Sequence, residues 1–182
     1  MQTILSGQRE AYADLVRKYQ GRILQLCASI LSDPYEAEDA AQEIFIKAYQ
    51  SLSKFRGTSS FSTWLYRIAT NHCRDLLRKK SRRRTESWEA LVEKEGDQLM
   101  RVISAPHDPT LTQEDTDLIK RVLSCLSPEY RMILTLREIQ GLSYQEIAAV
   151  MHCSLDSVKA RLRRARQDLK EKLRHFLGSG NV

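Results

Sequence analysis

The sequence predicts an all-α protein of two small helical domains, an N-terminal helical bundle and a C-terminal helix-turn-helix domain, joined by a flexible linker. Three observations lead to this prediction. Glycine and proline are scarce, with 7 and 4 copies in 182 residues, which favours helices joined by short connections. Apolar residues recur every three or four positions in both halves. Between the halves this periodicity is lost and the composition changes abruptly.

The N-terminal domain is predicted over residues 1–80 as a series of amphipathic helices. One apolar stripe begins at residue 8 and keeps to the same helix face until Ser32-Asp33-Pro34 ends it. A long helix is predicted over 35–52, with acidic residues in its first turns, where the helix dipole favours anions. After a loop, another helix is predicted over 60–80, and its inner face carries Phe61 and Trp64 as core residues.

Residues 81–112 are predicted to form the linker. This segment starts as a basic run, becomes acidic and ends with two prolines, and one weak helical turn is expected around Trp88 to Leu91. The C-terminal domain is predicted over 113–178. Two of its helices meet at Ser127-Pro128, where proline suits the first helical turn because its missing N–H has no partner there.

The stretch LSYQEIAAVMHCSLDSVKARLRRAR, residues 142–166, predicts a helix-turn-helix. Ser143 and Glu146 form the S-x-x-E capping-box pattern at the start of its first helix. A turn at 152–154 leads into a second helix whose outer face is nearly all Arg and Lys. This fits a recognition helix in a DNA major groove, the alternative being a solvated basic helix that closes a bundle. The inward stripe of the second helix is predicted to be Leu155, Val158, Leu162, Ala165, Leu169 and Leu173.

A second basic patch follows the loop of the N-terminal domain. Its cations, opposed only by Asp75, are Arg67, Arg74, Arg78, Lys79, Lys80, Arg82, Arg83 and Arg84. Together with the loop at 55–60 and the amide of Asn71, these side chains could follow a single nucleic-acid strand and hold an unstacked base. The two patches therefore suit different parts of one DNA target, and the linker would let them reach separate sites.

Composition excludes several classes of protein. The net charge of +6 suits an acidic partner such as nucleic acid. No apolar run approaches the roughly 20 residues that span a bilayer, and the N-terminus lacks a secretory h-region, so we expect a cytoplasmic protein without direct membrane insertion.

Four cysteines lie far apart without a CxxC motif, which predicts buried or semi-buried structural cysteines and no metal site. The sequence contains none of GxxxxGK[ST], HExxH or GxSxG, so we expect no enzymatic activity and no cofactor. The carboxylates of Glu36, Glu38 and Asp39 have no nearby cation or His partner in the sequence and are expected to form a docking or solvated face.

Two long segments resemble bacterial RNA polymerase sigma factors of the extracytoplasmic-function (ECF) type. AEDAAQEIFIKAYQSLSKFRGTSSFSTWLYRIATNHCRDLLRK is similar to region 2 of that family, and LSPEYRMILTLREIQGLSYQEIAAVMHCSLDSVKARLRRAR is similar to region 4. The resemblance implies a stress-response transcription factor that binds core RNA polymerase, melts the −10 element and reads the −35 element of promoter DNA. It also implies an anti-sigma factor as partner and a monomer when free.

The resemblance further implies residue roles. The helix after Asp33 would dock on the β′ clamp helices of the polymerase, and region 4 would bind the β flap tip through its apolar surface. The residues implied in polymerase binding are Asp39, Gln42, Glu43, Phe45 and Ile46. Those implied at the −10 element, with Asn71 at a flipped base, are Phe55, Arg56, Gly57, Thr58, Ser59, Ser60, Arg67, Asn71, Arg74, Asp75 and Arg78. Those implied at the −35 element, in the major groove and on phosphates, are Ser157, Lys159, Ala160, Arg161, Arg163, Arg164 and Arg166.

Two other functions compete with this interpretation. A stand-alone helix-turn-helix regulator would bind a palindromic duplex as a dimer, with half-sites about one helical turn apart. A metal-linked or redox enzyme would use the pairs His72-Cys73 and His152-Cys153, and would contain stoichiometric zinc.

Overall fold

The computed structural model describes residues 9–86 and 122–178, and these residues form helices joined by short turns. This confirms the all-α class. The N-terminal half contains α1 (Arg9–Leu31), α2 (Pro34–Ser51), a short 3-10 turn (Leu52–Lys54) and α3 (Phe61–Glu86). The C-terminal half contains α4 (Pro128–Leu134), a π-helical turn (Thr135–Ile139), α5 (Tyr144–Met151) and α6 (Leu155–Gly178).

The first helix agrees with its continuous apolar stripe, because α1 runs unbroken through Gly21 to Leu31. The third helix is longer than predicted: it continues beyond residue 80 to Glu86, so Arg82 lies on it. The helical turn expected around Trp88 to Leu91 lies outside the described residues.

The N-terminal half is held together by an apolar core between α1, α2 and α3. Ile23, Leu26, Ile44 and Leu65 are fully buried there. Four alanines on α2 face this core, and their small side chains let α2 lie close to its neighbours; they are Ala37, Ala40, Ala41 and Ala48. Phe61 and Trp64 are also buried, which confirms the prediction that they are core residues.

Local capping fixes where the helices begin. The Asp33 carboxylate accepts hydrogen bonds from the backbone N–H groups of Tyr35 and Glu36, at 2.8 and 3.1 Å, and Pro34 occupies the first turn of α2. Glu36 also has a cationic partner, because Lys80 of α3 lies 3.4 Å from its carboxylate. The expectation that Glu36 lacks such a partner is therefore wrong, since the partner is distant in sequence.

The helix-turn-helix forms as the sequence predicts. Both halves of the capping box are present: the Glu146 backbone N–H donates to Ser143 Oγ, and the Glu146 carboxylate accepts from the Ser143 backbone N–H. α5 ends at Met151, and the C-cap residue His152 adopts a left-handed conformation with φ of 52°. On α6, Val158, Leu162 and Ala165 are buried, and Leu169 and Leu173 are partly buried.

Leu155 departs from the predicted inward stripe, because its side chain is 38% exposed. It lies in the first turn of α6, where a helix end has neighbours on fewer sides. The recognition helix is therefore anchored from Val158 onward.

The two halves pack against each other. Buried Arg131 of α4 donates through Nη2 to the backbone oxygen of Ile30, at 3.0 Å. The Tyr66 hydroxyl donates to Gln140 Oε1 at 2.7 Å, and Gln140 Nε2 donates to Gln25 Oε1 at 3.0 Å. The halves thus form a closed arrangement that sequence periodicity does not predict.

Candidate nucleic-acid and polymerase interfaces

The predicted −35 residues fall on three sides of α6. Ala160, Arg163 and Arg164 point away from the buried stripe, and both arginines are exposed. Ser157 and Arg161 lie on the flank nearer α4, where Arg161 Nη1 is 3.4 Å from Glu129 Oε2. Lys159 and Arg166 lie on the opposite flank.

Several of these cations already have carboxylate partners. Arg166 donates through Nη2 to Glu138 Oε1 at 2.7 Å, and this bond, followed by one with Tyr144, raises the pKa of Arg166. Lys159 Nζ donates to Asp156 at 3.2 Å. Arg163 and Arg164 therefore form the exposed outer cationic surface of α6, while the flanking cations are held in place beside it by their carboxylate partners.

Gln167 is a further candidate contact on α6, and its lack of charge left it outside the predicted set. It is exposed, and it lines the open depressions on both sides of Arg163 on the outer face of α6. A side-chain amide can read an adenine edge bidentately. Its position four residues after Arg163 is the signal that would have identified it.

The predicted −10 residues on α3 share one helix face. Arg67, Asn71, Arg74 and Arg78 recur at helical spacing, and Asn71 and Arg78 are exposed. Asn71, Arg74 and Arg78 line an open depression together with Asp75 and Leu77. An amide surrounded by guanidinium groups is chemically suited to a base and its flanking phosphates.

Two carboxylates pair with arginines of this face. Asp75 forms an ion pair with Arg78, one turn away on the same helix. The Glu129 carboxylate of α4 lies 3.3 Å from Arg74 through one oxygen, and its other oxygen contacts Arg161 of α6. Glu129 thus bridges a candidate −10 arginine and a candidate −35 arginine.

The loop before α3 exposes only part of its predicted set. Arg56, Gly57, Thr58 and Ser60 are exposed and Ser59 is half-buried, with Gly57 at a φ of 71° that favours glycine. Ser60 caps α3 by accepting from the Thr63 backbone N–H at 3.1 Å.

The Phe55 ring packs against the rings of Phe61 and Trp64, with centroids 6.0 and 5.2 Å away. Phe55 therefore anchors the loop to the core. Its place in the −10 set that the resemblance implies stays a prediction.

The predicted polymerase face of α2 is exposed with one exception. Asp39, Gln42, Glu43 and Ile46 are exposed, whereas Phe45 is half-buried and packs against the core. Phe45 lies about 100° around the helix from Ile46, on the flank of α2 that turns towards the core.

Two tyrosines extend the exposed face of α2 at its ends. Tyr35 is 72% exposed and Tyr49 is 45% exposed, and both lie on the side of Ile46. Large exposed apolar side chains in line on one helix mark an interaction surface. Their helical spacing from Ile46 is the signal in the sequence that would have added them to the predicted set.

The cysteines agree only in part with their predicted burial. Cys27 of α1 and Cys73 of α3 are buried with their sulfurs 3.8 Å apart, and Cys153 is half-buried, but Cys125 is exposed. Contact with Cys73 and then burial raise the pKa of Cys27, which disfavours the reactive thiolate. Within residues 9–86 and 122–178, no cluster of three or more His, Cys, Asp or Glu side chains could hold a metal ion.

Membrane insertion is not supported by any helix in the described part of the chain. None of these helices is both long and apolar enough to cross a bilayer.

A helix-turn-helix in one half and a cationic, amide-bearing helix face in the other are features of a DNA-binding protein. Residues 15–83 match sigma-70 region 2, and residues 116–169 match sigma-70 region 4. The chain is 39% identical over 180 residues to the RNA polymerase sigma-H factor of Pseudomonas aeruginosa, covering 97% of this chain and 93% of that protein. It is 36% identical to the ECF RNA polymerase sigma-E factor of Escherichia coli K12, covering 97% of this chain and 94% of that protein.

Two solved structures have a similar fold and match over most of the length of the chain. The sigma factor RpoE in complex with the anti-sigma factor NepR, from Bartonella quintana, matches with a TM-score of 0.74 and 25% identity, over 91% of this chain and 98% of that one. CnrH in complex with the cytosolic domain of CnrY matches with a TM-score of 0.66 and 25% identity, over 100% of this chain and 96% of that one. The chain therefore belongs to the ECF sigma factors, which direct RNA polymerase to initiate transcription at specific promoters.

Proposed function

We propose that the chain binds core RNA polymerase through the exposed face of α2, opens the −10 element with α3 and its preceding loop, and reads the −35 element with α6. The observation that carries this proposal is the pair of exposed cationic helix faces, one on each half of the chain. Each has a buried apolar side that leaves its polar side available to DNA.

At the −35 element, Arg163, Arg164 and Gln167 contact base edges in the major groove. Their side chains point away from the core, and guanidinium and amide groups can bond bidentately to guanine and adenine edges. Arg161 and Arg166, on the flanks, contact phosphates after exchanging their present carboxylate partners.

At the −10 element, Asn71 contacts a base that has left the stack. Arg67, Arg74 and Arg78 flank it and neutralise phosphates, while the exposed loop residues Arg56 and Thr58 contact the opened strand. Extrusion of a base costs a few kcal/mol, and these contacts offset that cost.

For the polymerase, the docking surface of α2 comprises Tyr35, Asp39, Gln42, Glu43, Ile46 and Tyr49 and fits the β′ clamp helices. The C-terminal half binds the β flap tip through apolar residues, for which exposed Ile139 and Leu155 are the candidates. Core polymerase and promoter DNA are cytoplasmic in bacteria, so the chain acts in the cytoplasm.

An anti-sigma factor is the expected inhibitor of this chain. Both solved relatives named above were determined with another protein bound, and NepR is named as an anti-sigma factor. An inhibitor that covers the α2 docking surface would block polymerase binding without any change in DNA-binding residues.

In vitro transcription distinguishes this proposal from a stand-alone regulator. Purified chain added to core polymerase should produce transcripts from specific genomic promoters, and the chain alone should bind promoter duplex weakly. Absence of transcripts, together with nanomolar binding of free chain to a palindromic site, would contradict the proposal and support the dimeric regulator.

A further inference from the structure

His72 of α3 lies directly beneath the α2 docking surface. The side chain is only 5% exposed, and its Nδ1 atom is 2.5 Å from the ammonium of Lys47. Its Nε2 atom is 3.4 Å from Glu43 Oε2, while Glu43 itself is 58% exposed. Lys47 and Glu43 are one turn apart on α2 and lie 3.7 Å from each other.

The chemistry of Lys47 fixes the tautomer of His72. An ammonium group has three donors and no acceptor, so Nδ1 must accept from Lys47 and the ring proton must lie on Nε2. Burial, followed by the charge of Lys47, lowers the pKa of His72, and the charge of Lys79 lowers it further. The charges of Glu43 and Asp75 act in the opposite direction. A neutral ring with this tautomer directs its N–H towards the Glu43 carboxylate.

The Nε2–H group has no hydrogen-bond partner among the described residues. A buried donor without a partner is costly, and 3.4 Å is just beyond the usual hydrogen-bond length. A small rotation of the exposed Glu43 side chain would complete the bond. The buried ring therefore favours the rotamers in which Glu43 Oε2 faces the His72 ring and Oε1 faces solvent.

We propose that His72 is a positioning residue for polymerase binding, which holds Glu43 so that its outer carboxylate oxygen accepts from a cationic side chain of core polymerase. The inference rests on the proposed function of the α2 docking surface. A cation is the expected partner because Glu43 and neighbouring Asp39 are both exposed carboxylates on this surface. Ordering Glu43 before binding removes part of the entropy cost of association.

A double-mutant cycle on the full chain tests the inference, with the dissociation constant for core polymerase as the measurement. Glu43→Gln should weaken binding about three- to tenfold. His72→Leu should weaken it by a similar or smaller factor, and the double variant should bind no worse than Glu43→Gln alone, because the ring acts through that carboxylate. His72→Gln, which keeps an amide N–H near the position of Nε2, should restore most of the affinity.

A matched cycle with Asp39→Asn distinguishes a positioning role of His72 from a general loss of structure in His72→Leu. No contact joins Asp39 to His72 in the structure of the described residues, so the effects of Asp39→Asn and His72→Leu should multiply. If the two cycles behave alike, or if His72→Gln binds as poorly as His72→Leu, His72 only supports the fold and the inference is wrong. If the unmodified chain fails to bind core polymerase, the proposed function fails first and the inference with it.

Discussion

Replacement of Arg131 by methionine should loosen the contact between the two halves of the chain. Arg131 is 7% exposed and donates to the backbone oxygens of Ile30 in α1 and Ser124 before α4, at 3.0 and 3.1 Å. Its pKa is lowered, chiefly by burial, which reflects the cost of keeping this cation out of water. Methionine keeps an apolar stem of similar length but removes both donors.

The expected loss is about 2 kcal/mol. A hydrogen bond to a charged group contributes about 1.5–3 kcal/mol, and a buried carbonyl left without a partner costs about 1–3 kcal/mol. Relief of the desolvated cation offsets part of this loss. A change of about 2 kcal/mol shifts the equilibrium between closed and open arrangements roughly 30-fold towards the open one.

Small-angle X-ray scattering at low ionic strength measures the result as an increase in the radius of gyration of the full chain. Arg137→Met is the matched control, because Arg137 donates to the Leu142 backbone oxygen and stacks on Tyr144, both within the C-terminal half. Arg137→Met should lower the free energy of unfolding without changing the radius of gyration. An unchanged radius and unchanged urea unfolding in Arg131→Met would refute the reasoning.

Three further predictions concern DNA recognition and capping. Arg164→Ala should cost about 1–3 kcal/mol in −35-dependent initiation, whereas Arg174→Ala, further along α6, should have little effect in the same transcription assay. Asn71→Ala should slow promoter opening, followed by permanganate footprinting, while core binding stays intact; loss of core binding would mean that Asn71 is structural. Ser143→Ala should cost about 1 kcal/mol of unfolding free energy. Hydrogen bonds from the Ser143 backbone and then its side chain lower the pKa of Glu146. The stability that these bonds give the ionised carboxylate is therefore present above the unfolded pKa and lost as pH falls through the folded pKa. Denaturation curves at pH 7 and pH 3 should differ more for wild type than for Ser143→Ala.

Local signals in the sequence predicted much of the fold. Ser143 and Glu146 are three residues apart, and both hydrogen bonds of their capping box form. Val158, Leu162 and Ala165 are buried as their spacing predicts. Capping and periodicity depend on neighbours within one or two turns, so a single sequence contains the information that they need.

Contacts between distant segments could not be predicted in the same way. Arg131 and Ile30 are 101 positions apart, and nothing in the spacing of either helix pairs them. The partner of Glu36 was missed for the same reason, because Lys80 lies 44 positions away. Phe45 shows a different limit: the resemblance places it with Ile46 on the docking surface, whereas its side chain is half-buried and packs against the core.

The bridge from Glu129 to Arg74 and Arg161 limits what the closed chain can do on DNA. The centres of a −10 and a −35 element are about 25 base pairs apart, which is about 85 Å along B-form DNA. With Arg74 at the −10 element and Arg161 at the −35 element, as proposed above, no single carboxylate can hold both guanidinium groups across that span. Simultaneous binding of both elements by these residues would therefore break the Glu129 bridge, and DNA phosphates would replace the carboxylate as the counter-ions of the two arginines.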